Sequence, residues 1–156
     1  MINLNSCYLC TSINHNTMST RVTIQGVAGC YHDAAAREYF AGQEITTIPC
    51  DTFPDMFAAL SSDASLLGIL AIENTIAGSI LPNHELLRKS NLEIIGEHKM
   101  RISHVLAALP GETFDTLYEV NSHPMALMQC EQYLRTHPGM KMIEKYLDTS
   151  QALRVV

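Results

Sequence analysis

The chain has 156 residues, 47% of them hydrophobic and 17% charged, with a formal net charge of −6. That length holds one domain with a real core or two small lobes, and the acidic balance without any basic run argues against a nucleic-acid surface. No apolar stretch reaches the ~18 residues of a membrane helix, the N-terminus lacks the basic start and unbroken apolar core of a signal peptide, and five cysteines, an odd number, suit a reducing cytoplasm better than a disulfide frame.

Residues 1–20 are rich in Asn, Ser and Thr and carry no sustained hydrophobic period. They read as a flexible extension, with Met18 an alternative start. Cys7 and Cys10 have a CxxC spacing, with His15 downstream. A zinc site needs a second ligand pair that the sequence does not offer, so these read as two free thiols in a loose tail and no metal site is expected.

A short β-rich run over residues 21–25 is broken by Gly26-Val27-Ala28-Gly29, and residues 31–41 are good helix formers with Asp33 in the first turn. The loop is neither a Walker A loop nor a GxGxxG fingerprint. A tight turn and a ligand contact at Gly29 and Tyr31 both remain open. Residues 44–49 read as a second strand. Asp51-Thr52-Phe53 caps a helix over residues 54–60, with Pro54 early as helices prefer. Residues 65–72, Ser-Leu-Leu-Gly-Ile-Leu-Ala-Ile, form the apolar run of a strand buried on both faces. The order βαβαβ implies a parallel sheet with right-handed crossovers.

Beyond it, residues 81–90 read as a helix and residues 92–109 as a long β stretch that Pro110-Gly111 stops. A helical turn at 113–117, a strand at 118–120, a helix at 125–135 and a strand at 140–146 follow. Asp148-Thr149-Ser150 caps a last helix from residue 151 that ends at Val156, barely two turns in. The chain therefore reads as interrupted.

Glu73 closes the apolar strand, and Asn74, Thr75, Gly78 and Ser79 lead into the next helix. An acid at the carboxyl end of a central strand lies where open α/β sheets bind ligands. Desolvated there, it could act as acid or base near neutrality, and the helix start after Gly78-Ser79 could hold an anion. The plain alternative is a polar strand terminator followed by a cap. Asn121-Ser122-His123-Pro124 repeats the pattern of strand, small polar residues and helix start, with Gln129 one turn further on. His123 reads as a cap neighbour rather than a catalyst, and Gln129 as a site residue or a solvated polar position. The other histidines share no metal-like spacing, and Cys30 and Cys130 lack the paired histidine of a nucleophile. Two helix starts and one acid point to a small substrate with two negative groups. No cofactor motif is present.

From Val22 to Val155 the chain resembles the catalytic domain of the prephenate dehydratase family. The resemblance rests on motifs in one order: Gly26-Val27-Ala28-Gly29-Cys30-Tyr31, Ile72-Glu73-Asn74-Thr75-Ile76-Ala77-Gly78-Ser79, Gly96-Glu97 before Ile102-Ser103-His104, Ser122-His123-Pro124 before Gln129-Cys130, and Asp148-Thr149-Ser150. It implies an α/β fold of two lobes of the type II periplasmic-binding-protein kind. The first lobe (residues 21–75) would be incomplete, the second would span residues 76–150, and residues 151–156 would begin a truncated return. It implies decarboxylating dehydration of prephenate to phenylpyruvate in phenylalanine biosynthesis, without a cofactor, in the cytoplasm and in a possible homodimer. Glu73 and Gln129 would line the reacting centre. Asn74, Thr75, Ser122, Gly29 and Tyr31 would position substrate, with Gly78, Ser79 and the Ser122 helix start holding its anions. The family's Thr-Arg-Phe motif and its regulatory ACT domain are absent from these residues. The resemblance therefore also implies unpaired sheet edges, marginal stability, weak or lost turnover, and no phenylalanine feedback. A non-catalytic small-anion-binding module and a gene fragment without function are the competing expectations.

Overall fold

The computed structural model describes residues 4–11 and 20–144. Its centre is the apolar run. Strand β4 (Leu67–Asn74) buries every residue from Leu67 to Ile72. Alternate side chains of a strand point to opposite faces, and β4 uses both. Leu67, Ile69 and Ala71 join one core with Val22, Ile24, Ala35 and Ala36. Leu70 and Ile72 join a second core with Met56, Phe57 and Leu60. A strand without polar alternation is stable only when covered in this way.

The expected βαβαβ order is present. Strands β2 (Thr20–Gln25), β3 (Ile45–Cys50) and β4 are linked by helices α1 (Tyr31–Tyr39) and α2 (Phe53–Ser62). Strand β2 runs parallel to both neighbours. Helix α2 starts in a capping box in which the Thr52 hydroxyl accepts from the Asp55 amide and the Asp55 carboxylate accepts from the Thr52 amide. Close packing fixes Gly68, where a Cβ would lie 2.7 Å from Leu60 Cδ1.

After β4 the chain turns into a short strand β5 (Gly78–Ser79), then helix α3 (Leu81–Lys89) and strand β6 (Glu93–Arg101). All belong to one compact unit ending at Ile102; the second unit begins at Ser103. The boundary expected after Thr75 is thus displaced. Helix α3 packs on the β4 face, with Leu86 and Leu87 against the α2 core, so residues 76–102 complete the first unit. The long β stretch expected to reach residue 109 ends at Arg101, and residues 103–109 carry no regular structure. Val105, Leu106 and Leu109 are exposed there, and the segment has no strand partner among the described residues.

The N-terminus departs most from expectation. The flexible extension read over residues 1–20 is, at Leu4–Thr11, a strand β1 inside the sheet. The order is β3-β2-β4-β1-β6, with β5 on β4. Strand β1 runs antiparallel to β4 and to β6. Polar residues mask its pattern: Cys7 and Leu9 enter the α1-side core and Cys10 enters the α2-side core. The CxxC spacing therefore sends its thiols to opposite faces. Both remain free and buried, and burial pushes Cys7 up to about 12 and Cys10 to about 11.

The second unit has a parallel pair, β7 (Glu119–Ser122) and β8 (Lys141–Glu144), joined through helix α4 (Pro124–Leu134). Leu127, Leu134 and Met140 form its core, against Leu117, Val120 and Cys130. Met140 is buried there, whereas Met125, Met128 and Met142 are exposed. The helix expected after Asp148-Thr149-Ser150 lies outside the described residues.

Candidate functional site

Because β2 and β4 are parallel and in register, Ile24 beside Ile69, their carboxyl ends share one edge of the sheet. The edge carries the glycine loop after β2 and the Glu73 segment at the end of β4. In open α/β sheets ligands bind at this kind of edge.

The Glu73 segment is a small hairpin. Glu73 pairs with Ser79 and Asn74 with Gly78. The buried Asn74 side chain holds the turn, its Oδ1 accepting from the amides of Ile76 and Ala77, each at 2.9 Å. Gly78 has φ +80°, a left-handed conformation that glycine adopts without strain. Glu73 is exposed, so the desolvation expected of its carboxyl is not observed. Asn74 acts on the backbone of the turn and thereby presents Glu73 and Thr75.

The helix-start expectation for Gly78 and Ser79 needs correction. They lie in β5, and α3 begins only at Leu81 with Ile80 as its cap. Pro82 has no N–H, and the amides of Asn83 and His84 both donate to the Ile80 carbonyl. Little of that helix start is left for an anion. Sequence reasoning passed over Asn83. It is 1% exposed, and its Nδ2 donates to the Ala71 carbonyl at 2.8 Å, tying α3 to β4 two residues before Glu73. A buried amide inside a Leu-rich helix was the available signal.

In the glycine loop, the Gly26 amide donates to the Cys50 carbonyl. The Gly29 amide, a candidate substrate donor, is spent on Asp33 Oδ2 at 2.9 Å. Arg37 Nε donates to the same oxygen at 3.1 Å. Burial raises the Asp33 carboxyl, but these bonds and the Arg37 charge outweigh it and hold the group below its usual range. Asp33 thus serves the start of α1 as an internal anion and shapes the loop. Among the described residues, the amides left without a partner in this loop are those of Val27 and Ala28. Tyr31, the first residue of α1, packs against the α1-side core.

In the second unit Ser122 and His123 lie at the start of α4, and Gln129 of that helix meets His104. Ser122 ends β7 and is half-buried. His123 caps α4, its Nδ1 accepting from the Met125 amide at 3.1 Å, which places the ring proton on Nε2. The cap reading holds. It also closes the helix start: Pro124 has no N–H, and Ala126 and Leu127 donate to the His123 carbonyl. The anion-holding start expected at Ser122 therefore has its backbone donors occupied, and the Ser122 hydroxyl is the polar group it offers. Gln129 is not a solvated position. It is half-buried, and its Oε1 lies 2.8 Å from His104 Nε2. With the imidazole proton on Nε2, His104 donates to Gln129 and fixes its amide. His104 stood in the sequence only as part of a motif; the partner that gives it a role lies 25 residues away.

Parallel strands whose carboxyl edge carries a glycine loop and an exposed acid, followed in the chain by a second α/β unit, define a mixed α/β protein. The chain belongs to the prephenate dehydratase family, which it matches over residues 22–156. It is 38% identical over 136 residues to "Arogenate dehydratase 5, chloroplastic" of Arabidopsis thaliana, covering 87% of this chain and 32% of that protein. It is 39% identical over 131 residues to "Arogenate dehydratase/prephenate dehydratase 2, chloroplastic" of the same plant, covering 84% and 34%. A "Bifunctional N-acyl-homoserine lactone acylase/prephenate dehydratase" of Komagataeibacter europaeus is 35% identical over 135 residues, covering 86% and 47%. The chain therefore spans less than half the length of each of these relatives. Among solved structures, "GqqA- a novel type of quorum quenching acylases" matches with TM-score 0.70 and 34% identity, over 87% of this chain and 48% of that one. The mixed α/β architecture agrees with the periplasmic-binding-protein-like class. No helix among the described residues is long and apolar enough to cross a membrane.

Proposed function

We propose that this chain binds prephenate or its amino analogue arogenate and carries groups for their decarboxylating dehydration, a lyase reaction of aromatic amino-acid biosynthesis. In that reaction the ring carboxylate leaves as carbon dioxide. The electron pair of the broken C–C bond enters the ring, and the hydroxyl opposite departs. One proton must reach that hydroxyl for it to leave as water, and aromatisation supplies the driving force. The protein's task is to hold two charged ends and supply the proton or hydrogen bond.

Glu73 is the proposed proton donor. The observation that carries the reading is the Asn74-held hairpin, which presents Glu73 at the ligand edge of the sheet. Gln129, oriented by His104, is proposed to hydrogen-bond the reacting end. Ser122 and Thr75 are proposed as hydroxyl contacts, with Gly78 and Ser79 shaping the hairpin. The Gly29–Tyr31 segment is proposed to present the neighbouring Val27 and Ala28 amides to a carboxylate.

The five free cysteines support a reducing, cytoplasmic setting, and a homodimer is proposed with it. The assay is incubation of the chain with prephenate and separately with arogenate, following phenylpyruvate and phenylalanine. Product formation that Glu73→Gln abolishes supports the proposal. Binding without product would favour an anion-binding module, and neither binding nor product would overturn both readings.

A further inference from the structure

Strand β1 has a position out of keeping with its sequence. Among the described residues strand β6 pairs with β1 and with no other strand, while β4 has β2 on one side and β1 on the other. Both ladders of β1 are antiparallel, so β4 and β6 run in the same direction on either side of a single slot. Without an occupant, β4 would expose a backbone edge beside its most apolar residues, and β6 would have no ladder at all. The family match begins at residue 22. An interior strand of the first unit is therefore drawn from residues outside that match.

We propose that residues 4–11 are a closing strand, inserted in cis into an acceptor slot between β4 and β6, and that this insertion holds β6 to the sheet. Three observations support a true fit. Cys7 and Leu9 fill one core and Cys10 the other, all buried. The register is continuous except for one irregularity against each neighbour, at Ser6/Cys7 towards β4 and at Leu9/Cys10 towards β6, as in bulges that let one strand serve two unequal partners. The Thr11 hydroxyl also donates to the Leu66 carbonyl at 3.3 Å, fastening the end of β1 to the start of β4.

The connection favours the same chain as donor. Thr11 and Val22 flank Leu67 from opposite sides, so they stand two strand spacings apart, about 10 Å. Residues 12–19 link β1 to β2 and can reach roughly 30 Å. A linker with slack closes within one molecule, whereas a short, strained hinge drives exchange between copies.

The test is a cross-link in the full chain. Cys7 and His98 are direct partners across β1 and β6, on the face where Tyr39 meets both the core and the His98 ring. Directly opposed side chains stand close enough for a disulfide. In His98→Cys, mild oxidation should join position 7 to position 98 within one molecule, located by peptide mapping. Lys99→Cys, one residue on and facing the other way, should not link to Cys7. In the unaltered chain, Cys7 and Cys10 should react with a thiol reagent at least roughly a hundredfold more slowly than after denaturation. A bond between two molecules would overturn the cis insertion. No bond at all, or native-state thiols that react as fast as denatured ones, would overturn the strand's place in the sheet.

Discussion

Replacing Asn83 with alanine tests how the Glu73 hairpin is held. Asn83 is 1% exposed and donates to the Ala71 carbonyl at 2.8 Å. The substitution removes the donor, deprives a buried carbonyl of that partner and opens a small space between α3 and β4. A buried partner lost in this way costs about 1–3 kcal/mol. For a chain of this size each kcal/mol moves the melting temperature by roughly 2–4 °C, so a fall of about 2–12 °C is expected. The chain has no tryptophan, so far-UV circular dichroism is the suitable probe, with amide exchange to locate the effect. Exchange should quicken in α3 and β4 and stay unchanged in α4. A change below about 0.5 kcal/mol, the range of ordinary surface substitutions, would show that this bond does not anchor α3.

Three further outcomes follow from the same geometry. Gly68→Ala should destabilise the first unit by about 1–3 kcal/mol in urea, because the new methyl meets the fully buried Leu60 side chain at 2.7 Å; an unchanged midpoint would contradict that packing. Asp33→Asn should lower stability at neutral pH. The Asp33 carboxyl is held below its usual range in the folded chain, so its contribution is present above the unfolded value near 3.9 and is lost as pH falls through the lower folded value. The gap between wild type and variant in denaturation midpoint should therefore close on acidification, and a gap independent of pH would exclude Asp33 as a folded-state anion. Asn74→Ala should loosen the turn at Ile76 and Ala77, quickening exchange of those two amides and weakening ligand binding; exchange identical to wild type would refute its role in the turn.

The parallel core was legible because its signals are local and physical. An unbroken apolar run marks a strand covered on both faces, and Thr52 with Pro54 marks a helix start. The presented acid was legible from its place after that run. What could not be read was set by partners distant in sequence. Strand β1 hides the buried Cys7, Leu9 and Cys10 among polar residues and becomes a strand only between β4 and β6. Residues 103–109 continue an apolar, β-like run but have no strand partner among the described residues. The expected anion sites failed for another reason. Spacing locates a helix start, but does not reveal that Pro82, Pro124, the His123 ring and Asp33 use up or remove the very N–H groups an anion would need. Likewise Gln129 acquires its role from His104, a contact that no local pattern announces.

The central claim is that Glu73, presented by the Asn74-held hairpin, supplies a proton in decarboxylating dehydration. The most direct measurement compares product formation by the full chain and by Glu73→Gln, with prephenate and with arogenate, against buffer alone. General acid catalysis by one side chain is worth about 10²–10⁴-fold. The account predicts product above the buffer rate from at least one substrate, and a loss of that order in Glu73→Gln with ligand binding retained. Product at the same rate in both chains, or none above buffer from either substrate, would contradict it.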